Sequence, residues 1–385
     1  MSYNPDFDEA EEGYAGDPQE TDGVNRADDM GPTGKLLKPL GDLDFEEAVR
    51  NFTFLARLGE QYGADLILIE TMNDCYETKA ALLAAKALGL DDIILEIDNK
   101  SMTNRPDLWG HYGIAREIAT LYDLPLEPIA EIIPEAEGGI DIRIGDSERC
   151  RRFIGTKIEG LYVKESPFEM QTRLWRVGVR PINALVDVTN YVMLATGQPT
   201  HAYDKDHIVD FISARMAQEG EKLVLLSGEE LELNTDDLVI ADATGPVGLA
   251  GVMGGAKDSI LPETKDVILE IANFESRGIR RTTQRYDVRT EASSRYEKAI
   301  DPERCDLARN MALAMYKELY PEMTITAYGD VYPTEIEKPV IDVSLNWLER
   351  RLGQTFPNEY IQNKLSRMGF DVTIDGDNLH VVTPS

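Results

Sequence analysis

Asp187-Val-Thr-Asn-Tyr-Val-Met-Leu-Ala-Thr-Gly-Gln-Pro-Thr-His-Ala-Tyr-Asp204 is the stretch on which the reading of this chain turns. A regular element begins at Asn183 and runs to Leu194. Pro199 then fixes the backbone ahead of His201, so the imidazole is presented from the end of an element. The same ring could equally cap a helix or be satisfied in a core. Thr189 and Asn190 supply a hydroxyl and an amide eleven to twelve residues earlier. The plain alternative for that pair is an Asx turn at a strand end.

Three further segments stand out beyond this stretch. Gly248-Leu-Ala-Gly-Val-Met-Gly-Gly255 lets the backbone approach a ligand or a neighbouring strand closely. No lysine follows in P-loop register, so the phosphate reading is weak and packing is the plainer one. In Val267-Ile-Leu-Glu-Ile-Ala272, Glu270 is a carboxylate within an apolar strand. Alternation could place it at the surface; buried, it needs a hydrogen-bond partner, and a bound phenolic hydroxyl would serve. The third segment is Arg289-Thr-Glu-Ala-Ser-Ser-Arg-Tyr-Glu-Lys-Ala-Ile-Asp-Pro302. The chain has no nucleophile elbow, P-loop or His-Glu-x-x-His, and its four histidines (His111, His201, His207, His380) are too dispersed for a metal triad. What remains is a pocket that works by recognition and by positioning water.

In this order, the stretches around His201, Gly251 and Thr290 look like the B3/B4 editing module of the phenylalanyl-tRNA synthetase beta-subunit family, over roughly residues 90–385. The resemblance implies that His201, Glu270, Thr290 and Ala292 line a pocket that hydrolyses tyrosine wrongly esterified to tRNA(Phe). It implies that Thr189, Asn190, Gly251 and Gly254 complete its wall. The partners it implies are tRNA(Phe) and the alpha subunit of a heterotetramer, with neither DNA nor membrane involved. ATP and magnesium are implied for the whole enzyme, whose synthetic site lies on the other subunit; no metal or cofactor is expected on this chain. Two departures from the family pattern, Ser294 and Lys298-Ala-Ile300, bear on docking of the tRNA end. A scaffold that binds RNA or the alpha subunit without catalysis is the rival reading.

The predicted fold class is α+β, with short strands dominating residues 147–335 and helices beside them. Strands are expected over residues 152–164, 222–226, 237–241 and 267–271, and helices over residues 167–177, capped by Ser166, and 301–318. Residues 338–385 restart a fold: Ser344 caps one helix, Pro357 opens a second that stops at Gly369, and a hairpin follows. Two helices and a hairpin resemble the winged-helix-like B5 module of the same family, cut short at Ser385. Residues 91–128 resemble part of the family's first domain, with a strand at 93–98 and an amphipathic helix that begins at Pro106 and carries Ile114, Ile118 and Leu121 on its apolar face. Residues 123–146, proline-bearing and acidic, read as a linker.

The N-terminal part differs in character. Residues 1–30 hold ten Asp or Glu and one Arg, too little apolar surface to offset ordering entropy, and are expected to be disordered. Over residues 31–90, Asp44 can cap a helix carrying Phe52, Leu55 and Leu58, which Gly63 closes before a buried strand (66–69) and an Ala-rich helix (77–88). The words Gly31-Pro-Thr-Gly-Lys-Leu-Leu-Lys-Pro-Leu-Gly-Asp-Leu43 and Gly63-Ala-Asp-Leu-Ile-Leu-Ile-Glu-Thr-Met72 resemble the homocysteine methyltransferase domain of methionine synthase. That family's Gly-Gly-Cys-Cys zinc segment is missing and Cys75 alone cannot make a thiolate zinc site, so a homocysteine methyltransferase is the second and weaker rival, and a fused or misassembled reading frame is the simpler account.

The formal charge of −31 argues against broad binding of nucleic acid, so any RNA contact must be local. One local patch exists: residues 277–304 hold eight basic side chains against five acidic ones. The alternative is a solvated face of paired charges. Three distant cysteines suggest neither a disulfide framework nor a metal site, and no leader or long apolar run is visible, which implies a cytoplasmic protein.

Overall fold

A computed structural model describes residues 27–38, 41–61, 64, 66–69, 74–87, 97, 102–135, 138–257 and 259–384. The chain divides into two compact units, Met1–Asn99 and Lys100–Ser385.

In the first unit, β1 (Ala27–Met30), α1 (Phe45–Gln61), β2 (Leu66–Ile69) and α2 (Cys75–Lys86) follow in order. The two strands pair in parallel, Ala27 opposite Leu66 through Met30 opposite Ile69. The segment expected to be disordered therefore ends in a strand; residues 1–26 lie outside the described residues. Met30 explains the correction: it is 0% exposed, in one apolar cluster with Phe52, Ala56, Ala80 and Ala84. On α1 the buried stripe is Ala48, Phe52, Ala56 and Gly59, whereas Leu55 is 42% exposed. Small residues on the facing surfaces let α1 and α2 lie close together. Asp74 caps α2, accepting from the Tyr76 N–H at 2.8 Å. The expected closure at Gly63 lies outside the described residues.

The second unit opens with a 3-10 turn at Pro106–Trp109 and α3 (His111–Leu121). The helix is present, but its buried face is Gly113, Ala119 and Thr120, while Ile118 is 42% and Leu121 64% exposed. The strand expected at 93–98 falls outside the described residues save Ile97. There follow β3 (Ile142–Ile144), β4 (Cys150–Glu159), α4 (Phe168–Arg176), α5 (Ala184–Thr196), β5 (Thr200–Asp204), β6 (Ile212–Met216), β7 (Lys222–Val224), β8 (Glu230–Glu232), β9 (Leu238–Asp242), β10 (Gly245–Leu249), β11 (Met253–Gly254) and β12 (Val267–Phe274). Next come α6 (Ser276–Tyr286), α7 (Glu291–Tyr296), α8 (Arg304–Leu319) and β13 (Thr324–Val331). The unit closes with β14 (Val340–Ser344), α9 (Leu345–Leu352), α10 (Asn358–Arg367), β15 (Asp371–Asp375) and β16 (Asn378–Val382).

Two sheets position the site. One runs β13-β4-β12-β5, the other β11-β10-β9-β6-β3. All eight residues of β12 are buried, because each face of this strand has its own cover. Val267, Leu269 and Ile271 pack with Val188 of α5 and Ala312 of α8, whereas Ile268, Ala272 and Phe274 pack with Val239 and Leu249 of the other sheet. Period-two alternation thus sends Glu270 to the side of the second sheet, not to solvent.

Two expectations change here. Residues 123–146 are not all linker: β3 lies parallel to β6, and Ile140, Ile142 and Ile144 pack against the intersheet core. Their alternation is a strand signal inside an otherwise acidic, proline-bearing segment. Ser166 does not cap α4, which starts after Pro167 without a side-chain cap. Its hydroxyl instead donates to the buried carboxylate of Asp187 at 2.5 Å. In the C-terminal subdomain, Ser344 accepts from the Trp347 N–H at 3.2 Å and the two helices and hairpin form as expected, with β14 added to the hairpin. Lys364 and Arg367 of α10 donate to the Thr120 and Ala119 carbonyls at the end of α3, at 2.6 and 2.8 Å.

Candidate functional site

Asn183 starts α5, its side chain accepting from the N–H groups of Leu185 (3.0 Å) and Val186 (3.1 Å). Gly197, at φ +78°, ends the helix, and Pro199 leads straight into β5. That strand pairs with β12 so that His201 sits directly opposite Glu270 and Tyr203 opposite Ile268. Residues two apart share a face, so His201, Tyr203 and Glu270 all point into the intersheet layer.

Glu270 is 6% exposed, and the Tyr203 hydroxyl donates to its Oε2 at 2.6 Å. Burial pushes the carboxyl up to about 7, the Tyr203 bond pulling the other way. The His201 ring meets Tyr203 edge-on with 4.5 Å between centroids. Burial pushes this imidazole down to about 4, so it is neutral at pH 7. A carboxyl that titrates near neutrality therefore faces a histidine that carries no charge.

These groups open onto a pocket with about 430 Å³ of empty space, part of it continuous with solvent. Its remaining walls are largely apolar: Pro199, Ile240, Leu249, Phe274, Ala292 and Tyr296. The glycine-rich loop between β10 and β11 forms one side. Gly251 has φ +67°, and a Cβ there would lie 2.7 Å from Ile279 Cδ1 and 2.9 Å from Phe274 Cδ2. At Gly254 a Cβ would lie 2.8 Å from His201 Cε1. These glycines both pack and line: backbone occupies the wall because no side chain fits.

Of the residues singled out in the sequence, His201, Gly251, Gly254, Glu270 and Ala292 line the pocket. Thr290 does not. It accepts from the Ser293 N–H at 3.1 Å as the cap of α7 and donates to the Val252 carbonyl at 2.8 Å, tying that helix to the glycine loop. Thr189 and Asn190 are also absent from the lining, because they belong to α5, and the Thr189 hydroxyl bonds its own helix at Val186. Thr189 is tied to the lining through its carbonyl, which accepts from Thr200 Oγ1 at 3.3 Å. Tyr203, Phe274 and Tyr296 were missed. Tyr203 had a signal, being two residues beyond His201 on one strand face; the others depend on packing between sheet and helix.

The basic patch splits in two. Arg295 and Arg304 are buried and bind the Trp109 and Thr196 carbonyls, and Arg285 pairs with Asp237. Lys298 lies over the Trp109 ring at 4.8 Å. Arg277, Arg280 and Arg281 are exposed on one face of α6 and have no ion pair among the described residues. Ile279 of that helix presses on Gly251, so α6 packs behind the pocket wall with its arginines on the opposite, exposed side.

Residues 149–321, which hold the whole pocket, match the B3/4 domain family. This segment resembles a B3/4 domain. Around the B3/4 domain the similarity extends further. The chain is 40% identical over 286 residues to the phenylalanine–tRNA ligase beta subunit of Solibacter usitatus, covering 73% of this chain and 37% of that protein. It is 36% identical over 306 residues to the beta subunit of Clostridium acetobutylicum, covering 78% and 38%. The chain thus spans well under half the length of these relatives. A crystal structure of an N-terminal fragment of the Pyrococcus horikoshii phenylalanyl-tRNA synthetase beta subunit is a distant likeness, at 16% identity and TM-score 0.40 over 77% of this chain and 84% of that one. Residues 9–108, ahead of the B3/4 domain, match the homocysteine S-methyltransferase family.

Proposed function

We propose that the B3/4 domain of this chain edits: it hydrolyses tyrosine esterified to tRNA(Phe), as part of a phenylalanine–tRNA ligase beta chain. One observation carries the reading: a buried, titratable carboxylate, Glu270, lines a largely apolar pocket. Phenylalanine and tyrosine differ by one hydroxyl. An apolar site rejects that difference poorly, whereas a site built to bind the hydroxyl leaves a buried acceptor unpaired with phenylalanine, which disfavours it by about 10⁴ or more. Correct product is spared.

In the reaction a water oxygen adds to the ester carbonyl carbon, and the bond to the ribose oxygen breaks. The products are tyrosine and tRNA. His201, neutral at pH 7, accepts a hydrogen bond from that water or from the terminal ribose and orients it. The glycine loop brings backbone to the reacting end without side-chain bulk. Arg277, Arg280 and Arg281 supply a local cationic face for the tRNA end on a chain of charge −31. The alpha subunit is the protein partner that the relatives' names support, and the hydrolysis itself draws on water alone.

Single-turnover deacylation of tyrosyl- and phenylalanyl-tRNA(Phe) tests the reading. Tyrosyl-tRNA should be cleaved and phenylalanyl-tRNA spared. Binding of tRNA without cleavage would leave the non-catalytic scaffold. We assign no activity to residues 9–108, since Cys75 is the one cysteine there and methyl transfer through a thiolate-bound zinc needs more.

A further inference from the structure

Tyr203 is buried in the pocket lining with its hydroxyl 2.6 Å from Glu270 Oε2. Its place follows from strand register, since it stands diagonally across from Glu270 on the shared face of β5 and β12. The contact it makes, phenol to carboxylate, has the same chemistry as the contact proposed for a substrate tyrosine. A carboxylate has two oxygens and about four acceptor positions, so one oxygen can be held while the other is offered. Gly248 packs beside the hydroxyl, where a Cβ would lie in ordinary contact with it at 3.5 Å. Among the described residues, those that act on Glu270 offer no cation at neutral pH. His201 lies across the strand pair, Cys150 and Tyr296 feel the carboxylate's charge, and the second sheet presents Ile240 and Leu249.

We propose that Tyr203 is the positioning residue of the tyrosine sieve: its phenol grips one oxygen of Glu270 and turns the other towards the incoming substrate hydroxyl. This rests on the editing reading above. Without that grip, a buried carboxyl rotates freely and holds its proton more firmly, and it accepts a hydrogen bond less well. The resident phenol acts before substrate arrives, so the carboxylate needs no reorganisation on binding.

Tyr203→Phe tests this, because it keeps the ring against His201 and removes only the hydroxyl. Single-turnover hydrolysis of tyrosyl-tRNA(Phe) should fall about tenfold or more, with the phenylalanyl-tRNA rate unchanged. The midpoint of the tyrosyl pH profile should move upward, since the donor that favours ionised Glu270 is gone. Equal losses on both substrates, or full retention of selectivity, would overturn the proposal. A carboxyl titration of Glu270 by carbon-13 NMR, in wild type and variant, reads the grip without any turnover. An unmoved midpoint would sink it even if the chain hydrolyses nothing, whereas an upward shift in a chain with no hydrolysis would overturn the editing reading alone. Should Tyr203→Phe fail to fold, fluorination of the Tyr203 ring strengthens the donor at nearly constant shape and must move the midpoint downward.

Discussion

Glu270→Gln should make the protein more stable at alkaline pH while blunting its selectivity. Glutamine keeps the shape of the side chain and can still accept from Tyr203, but it carries no charge. Glu270 has its carboxyl pushed from the ordinary 4.5 up to about 7 by burial. A raised carboxyl binds its proton more tightly in the folded state. Its contribution to stability is therefore full below about pH 4.5 and is lost as pH rises through about 7. The gap between those values corresponds to about 3 kcal/mol at 1.36 kcal/mol per pH unit. Urea unfolding of wild type and Glu270→Gln should agree near pH 4.5, and by pH 8 the variant should be ahead by an amount approaching that figure. Tyrosyl-tRNA hydrolysis should move the opposite way. Exchanging a charged acceptor (about 1.5–3 kcal/mol) for a neutral one (about 0.5–1.5 kcal/mol) loses about 1–2 kcal/mol, or roughly five- to thirtyfold in rate. A variant less stable than wild type at pH 8 would show that the carboxylate is not held against a desolvation penalty. Equal rate losses on both aminoacyl-tRNAs would show that it does not read the hydroxyl.

Three further outcomes are expected. His201→Ala should slow hydrolysis of both aminoacyl-tRNAs with little change in their ratio, seen in the same single-turnover assay, because it orients water or ribose and does not touch the hydroxyl. Gly251→Ala combines φ +67° with contacts of 2.7 and 2.9 Å to Ile279 and Phe274; it should cost about 1–3 kcal/mol in chemical denaturation and narrow the pocket. Replacing Arg277, Arg280 and Arg281 together with Ala should leave stability within about 0.5 kcal/mol and lower the slope of log affinity for tRNA against log salt by about 2, by filter binding across a salt series.

Local chemistry in the sequence reached a good part of this. Ser344 caps α9 as expected, because a short polar side chain can accept from the first N–H groups. Gly369 ends α10 at φ +95°, where other residues are strained. Where a signal was diluted by its surroundings, it was missed: three alternating isoleucines make β3 within an acidic run, and Met30 anchors β1 at the edge of a strongly acidic segment. The apolar spacing on α3 named the wrong face, because close packing there is won by Gly113 and Ala119, leaving Ile118 and Leu121 outside.

By itself the sequence carried the resemblance to a B3/B4 module, with which the family match over residues 149–321 agrees, and it singled out His201, Gly251, Gly254, Glu270 and Ala292, since those words are long and ordered. Only the tertiary structure decided whether Glu270 faces water or a pocket. Alternation along β12 says which residues share a face, but the cover on each face is supplied by strands and helices far away in the chain. The register of β5 on β12 then decided that Tyr203 joins the site, while placement on α5 and at the cap of α7 keeps Thr189, Asn190 and Thr290 out of the lining. Strand pairing sets that neighbourhood across some seventy residues of chain, a distance over which no local pattern carries information.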